Sequence, residues 1–168
     1  MKAKSTHTLS RQITRLGTAK HLTVSGAESC TGGLIAKLLT DIPGSSAVFC
    51  GACVSYTNKI KMGVLGVSER TIHLHTEVSH ECAKEMAIGA LRTFGSDIAY
   101  STTGYAGPGG GTEKDPVGTV YVGIATAQVA RSYRLSLPED ATRTFIRNAT
   151  AEFVLEKIKE FSEAHLES

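Results

Sequence analysis

The chain has 168 residues, 41% of them hydrophobic and 20% charged, and a net charge of only +2. That length suits one domain with its own core, so residues 1–168 are read as a single unit. The near-neutral charge, with no basic cluster, argues against a nucleic-acid partner, and no apolar run is long enough for a membrane span.

The opening "MKAKSTHTLSRQITRL" carries no apolar signal core, and a cytoplasmic location is the expectation. Leu9, Ile13, Leu16 and Ala19 recur at helical spacing and predict a first helix. "HLTVSGA" follows as a strand, then "GGLIAKLLTDI" as a helix closed by Pro43 and Gly44. "SAVFCGACVSYT" reads as extended and buried, with Gly51 the candidate bulge. Within it, Cys50 and Cys53 have the Cys-x-x-Cys spacing of zinc and redox sites. Only scattered His73, His75 and His80 stand by as further ligands, so no metal is expected and these cysteines are read as small apolar residues.

"NKIKMGVLGV" predicts a short helix from about Asn58, and "SERTIHLH" another. Ser79 caps the clearest helix, whose Cys82, Ala83, Met86, Ala87, Ala90, Leu91 and Phe94 share a face. "SDIAYSTTG" is a strand running into a glycine-rich stretch, and "VGTVYVGIATA" and "ARSYRLSL" suit a hairpin. A last helix runs from about Glu139 to Ala164, with Ile146, Ala149, Phe153, Val154, Ile158 and Phe161 on one side. This order predicts an α/β fold, a three-layer α/β/α sandwich with a mixed, mostly parallel sheet.

Ligands of open α/β sheets bind where strands end and helices begin. "ESCTGG", "SYTNKIK" and "STTGYAGPGGG" fall at such places. In the first, Gly32 and Gly33 let backbone approach a ligand, and the amides of the new helix suit a phosphate or an oxyanion. Ser29 or Thr31 serves equally well as a simple helix cap. In the second, Tyr56 and Asn58 fall on one side and Lys61 lies a turn beyond. A desolvated lysine loses proton affinity and its neutral amine becomes a base, whereas a lysine at a helix start is more often solvated. The third stretch packs six glycines and two prolines into residues 102–118, which points to a shaped loop rather than a linker. Arg143 and Arg147, four apart on the last helix, suit a phosphate or carboxylate clamp, or a solvated face.

With these residues in place, the chain resembles the C-terminal domain family of the competence/damage-inducible protein CinA. The resemblance rests on "AESCTGGLIAKLLTDIPGSSAVF", "SYTNKIKMGVLGV", "VSHECAKEMAIGAL" and "TGYAGPGGGTEKDPVGTVYV", in order and at the family's spacing. It runs from about residue 8 to 160 and leaves out the molybdopterin-binding-like domain of long members. Stand-alone members include nicotinamide-mononucleotide deamidases. The resemblance therefore implies a metal-free, cofactor-free amidohydrolase that acts on a nucleotide, and a homodimer or higher homo-oligomer. Carried onto this sequence, it makes Ser29 the nucleophile, Lys61 the base and Tyr56 its assistant. Thr31, Gly32 and Gly33 would offer backbone donors. Ser46, Asn58, Thr103, Gly107, Gly109, Gly110, Arg143 and Arg147 would shape the nucleotide site. Cys30 is the rival nucleophile, and a binding-only module or an assembly partner in competence or DNA-damage pathways is the alternative function. Tyr105 and Asp115 depart from the family's usual residues, which bears on substrate fit.

Overall fold

The computed structural model describes residues 5–164, so the first four residues of the stretch read for a signal core lie outside it. Its elements are α1 (Thr6–Lys20), β1 (Val24–Glu28), α2 (Leu34–Thr40), a 3-10 turn (Ser45–Ala47), β2 (Phe49–Val54) and α3 (Asn58–Leu65). They continue with α4 (Glu69–His75), α5 (His80–Phe94), β3 (Ile98–Gly104), β4 (Thr119–Ala125), β5 (Ala130–Ser136) and α6 (Arg143–Ala164). The strands form one sheet in the order β2-β1-β3-β4-β5. β1 pairs in parallel with β2 and β3, while β4 runs antiparallel to both β3 and β5. α1, α2 and α6 cover one face; α5 lies on the other, with α3 and α4 packed against it. The layers and the mixed sheet are those the sequence predicts.

Burial follows position in the sheet. β1, β3 and β4 are buried along nearly their whole length, as interior strands between helical layers must be. Ile35, Ile98, Tyr100, Ile124, Ile146, Val154 and Ile158 fill one interlayer space, and Ala27, Leu65, Cys82, Met86, Ala90 and Ala99 the other. Each large apolar side chain so placed contributes about 1.5–3 kcal/mol.

Several expectations need correction. β2 is an edge strand rather than a buried one, and Cys50 is exposed with Cys53 half-buried. A strand with a neighbour on one side only is covered less, whatever its composition. The bulge is where expected, since the register slips between Val24 and Ser25 opposite Phe49 and Gly51. α2 begins at Leu34 because Gly32 and Gly33 form the preceding turn at φ 56° and 93°, a region that favours glycine. α6 begins at Arg143, with the Phe145 N–H donating to Thr142 Oγ1 at 3.2 Å as its cap. On α1, Leu9 and Ile13 are buried but Ala19 faces solvent.

The topology also sets where a ligand can sit. β1 and β3 are parallel neighbours whose C-terminal ends adjoin. From β1 the chain leaves through α2 toward β2, and from β3 it leaves the opposite way toward β4. Diverging exits from adjacent strand ends open a crevice between them.

Candidate active site

The last residue of β1, Glu28, is fully buried. A bare carboxylate there would be costly, yet this one accepts from the N–H groups of Gly33 (2.9 Å), Ile35 (3.2 Å) and Ala36 (2.8 Å). The Tyr100 phenol donates a further hydrogen bond of 2.9 Å. Glu28 thus serves as the anion that the start of α2 favours. Tyr100 reaches it from β3 because its cross-strand partner is Gly26, where a Cβ would lie 2.1 Å from the ring. Burial, and then the Glu28 charge, push the Tyr100 phenol well above its ordinary range and keep it a donor.

Ser29 follows directly, as the chain turns out of the sheet. Its N–H donates to the Thr102 carbonyl (3.0 Å), and its own carbonyl accepts from the Gly32 N–H (3.1 Å). Lys61 stands on the first turn of α3, on the same face as Leu65, and both are buried. Its Nζ donates to Ser29 Oγ at 3.0 Å, across a sequence separation of 32 residues. Ser29 is 8% and Lys61 2% exposed, so water competes little for this contact. Burial lowers the Lys61 pKa, while Cys82, Glu77 and Cys30 nearby act in the opposite sense. Burial also pushes the thiols up, Cys82 to about 12 and Cys30 to about 11, so at neutral pH both are uncharged. Of the three opposing groups, only Glu77 is then an anion.

Ser29 and Lys61 form the floor of a cleft of about 330 Å³ at the crevice between β1 and β3. Tyr56, Asn58, Glu77, Thr103, Gly107, Gly109 and Arg143 line it as well. The size is at the small end of ligand pockets, about 300–1,000 Å³. Arg143 donates through Nη1 to the Gly107 carbonyl (2.7 Å) and through Nη2 to the Tyr56 hydroxyl (3.0 Å). That arginine therefore pins the glycine-rich loop and the β2–α3 connection to the start of α6. Tyr56 is 58% exposed, and its hydroxyl is bonded to Arg143 rather than to Ser29 or Lys61.

Other residues singled out from the sequence lie apart from the cleft. The Thr31 hydroxyl is buried against Thr102 Oγ1 (2.8 Å), and the Thr31 carbonyl accepts from Arg147 Nη2 (2.8 Å). Arg147 thus braces the turn, with its guanidinium behind it. Gly110 lines a neighbouring groove with Gly111 and Glu139. Ser46 is exposed on the 3-10 turn, away from the cleft. The Gly32 amide is held by the Ser29 carbonyl and the Gly33 amide by Glu28, so neither is free to meet an oxyanion. The amides of Cys30 and Thr31 have no acceptor among the described residues. Glu77 escapes the sequence reading because, two residues before the Ser79 cap, it resembles an ordinary charge near a helix start.

A family model described as the CinA C-terminal domain matches residues 6–162. The chain belongs to this family. It is 47% identical over 158 residues to a CinA-like protein of Chloroherpeton thalassium, covering 93% of this chain and 38% of that relative. It is 45% identical over 152 residues to a putative competence-damage inducible protein of Caldicellulosiruptor saccharolyticus, covering 90% of this chain and 36% of that one. The chain thus spans well under half the length of these curated relatives. Among solved structures, the competence/damage inducible protein CihA of Agrobacterium tumefaciens superposes with a TM-score of 0.88 at 41% identity, over 91% of this chain and 93% of that one. The competence damage-inducible protein A of Klebsiella pneumoniae gives 0.89 at 30% identity, over 94% and 96%.

Proposed function

We propose that the chain is a nicotinamide-mononucleotide amidase of the CinA family, releasing ammonia and nicotinic acid mononucleotide. The observation that carries this reading is the buried 3.0 Å contact between Lys61 Nζ and Ser29 Oγ. A serine hydroxyl is a weak nucleophile until a base takes its proton, and a lysine is a base only when it is neutral. Burial of Lys61 favours the neutral amine.

Neutral Lys61 accepts the Ser29 proton as Oγ bonds to the carboxamide carbon. The Cys30 amide, beside Ser29 in the cleft lining, donates to the resulting oxyanion, a contribution of about 10²–10³-fold for one such donor. Lys61 returns its proton to the amide nitrogen, the C–N bond breaks and ammonia leaves. Water, deprotonated by the same amine, then hydrolyses the acyl ester and restores Ser29. Arg143, Gly107 and Gly109 line the same cleft, which supports their contact with the rest of a mononucleotide. A cytoplasmic setting accords with such a substrate.

Cys30 is the poorer nucleophile here. Its thiol, pushed up to about 11 by burial, is almost wholly protonated at neutral pH, and the thiolate is the reactive form. The test is ammonia release from nicotinamide mononucleotide by purified variants. Ser29→Ala and Lys61→Met are each expected to lose about 10³-fold or more in kcat, since the two act as one unit. Cys30→Ala is expected to stay within about threefold of the parent, because no step uses the thiol. Full activity in Ser29→Ala with loss in Cys30→Ala would reverse the assignment. Binding of the mononucleotide without turnover would leave the chain a binding module.

A further inference from the structure

Glu77 lines the cleft as an acidic residue with no part in the chemistry above, and its two halves are treated very differently. Its backbone is fixed. The Thr103 hydroxyl donates to the Glu77 carbonyl at 2.6 Å, and the Thr76 hydroxyl bonds both the carbonyl (3.3 Å) and the N–H (3.4 Å) of Val78. Thr76 turns the chain at φ 69°, and buried Val78 packs with Ala83 and Tyr121. The Glu77 carboxylate, by contrast, has no hydrogen bond or ion pair among the described residues, although it lines the cleft with Ser29 and Lys61.

The Glu77 side chain is half-buried, and no fixed donor or cation among the described residues meets its carboxylate. Its charge is unhelpful to Lys61, since it favours the ammonium over the neutral amine. That disadvantage vanishes when a cation occupies the space beside it. We propose that Glu77 is a specificity-determining residue that selects an amide borne on a positively charged ring.

The inference rests on the amidase reading and narrows it. The pyridinium of nicotinamide mononucleotide carries a permanent positive charge beside the scissile carboxamide. With Ser29 at the carboxamide carbon, that ring lies within a few ångströms of the attacking oxygen and so inside the walls that include Glu77. A bound cation also opposes protonation of Lys61, so the substrate would help supply the base that attacks it. Arg143, which also lines the cleft, offers the opposite charge to the anionic end of the same molecule. The cleft is thereby matched to a dipolar ligand rather than to a neutral amide of the same shape.

The test compares nicotinamide mononucleotide with its dihydro form, which keeps the carboxamide, ribose and phosphate but has a neutral ring. Calorimetry measures both ligands on Ser29→Ala and on Ser29→Ala/Glu77→Gln, so that turnover does not intrude. Glu77→Gln is expected to weaken the oxidised form about tenfold, as for a partly desolvated charge pair, and to leave the dihydro form within about twofold. Equal loss for both ligands, no loss for either, or no binding of either to Ser29→Ala would overturn the proposal. Thermal melting checks that the double variant is folded; the Thr103 bond is to the Glu77 backbone and survives the change. Ammonia release by the parent is measured separately. Its absence, with charge selection intact, would remove the amidase reading and leave the cation preference standing.

Discussion

Glu28 and Lys61 are both charged types, both buried, and both within one residue or one hydrogen bond of Ser29, yet they are held in opposite ways. Glu28 accepts four hydrogen bonds, from three amides and a phenol. The Lys61 amine makes one among the described residues, to Ser29 Oγ. Full satisfaction keeps a buried ion inert and rigid; near-isolation makes a buried ion eager to lose its charge. The first arrangement holds the turn that carries Ser29, and the second favours a neutral amine beside it, as the proposed amidase requires of a base. The same contrast explains why α2 is not an anion site: its amides are occupied by a residue of the chain itself.

Substituting each in turn is the sharpest way to break this comparison. Lys61→Met keeps the aliphatic stem and removes a desolvated amine, so it is expected to abolish turnover while leaving stability within about 1 kcal/mol of the parent or above it. Glu28→Gln does the reverse to stability. A Gln keeps one acceptor oxygen and turns its NH2 toward either the Gly33 and Ile35 amides or the Ala36 amide and the Tyr100 hydroxyl, and the cost is expected to be about 3 kcal/mol, or about 10 °C in Tm for a domain of this size. Urea or thermal unfolding of both variants measures this. If Lys61→Met were the more destabilised, Lys61 would be a structural ion and the contrast would fail.

A pH profile gives a smaller but more specific effect. In the proposed mechanism turnover needs the neutral amine, so kcat/KM should rise with pH through the Lys61 pKa of the free protein. Burial sets that pKa below its ordinary 10.5, with Cys82, Glu77 and Cys30 opposing the shift. The thiols are neutral below about 11, so Glu77 is the opposing charge across the usable range. Replacing Glu77 by Gln removes a force that holds the proton, and the acid limb should move to lower pH. Movement to higher pH, or none, would mean that the carboxylate does not act on the amine that limits the rate.

The same contrast marks what the sequence could convey. Period and punctuation place each α-helix and strand, since alternation, caps and glycine turns are local, but the 3-10 turn Ser45–Ala47 falls partly in a stretch that reads as extended. Burial of "FCGACVSY" was misjudged because an edge position is decided by strand order, to which residues 45–57 contribute nothing. At the site, the order of "ESCTGG" and "SYTNKIK" brought forward Ser29 and Lys61, but their 3.0 Å approach depends on how α3 packs against α5. Gly32 and Gly33 read as oxyanion donors in the sequence because helix amides look free until an acceptor is located. Glu28 was visible beside them, but its fourth partner, Tyr100, lies 72 residues away. Glu77 had no local signature at all, for its meaning comes from what it faces.

Tyr56 offers the smallest effect and tests the site from its rim. As a proton relay it would need to meet Ser29 or Lys61, but its hydroxyl accepts from Arg143 Nη2 at 3.0 Å and most of the ring is in solvent. Tyr56→Phe deletes that one hydrogen bond and leaves Arg143 Nη1 on the Gly107 carbonyl, so the loop stays anchored. The expected loss in kcat/KM is therefore less than about tenfold, of the order of one exposed hydrogen bond, and should fall mainly on KM. A relay role would instead lower kcat by about 10²-fold or more with KM unchanged. The split between the two constants distinguishes an assistant in the chemistry from a residue that helps an arginine hold its place.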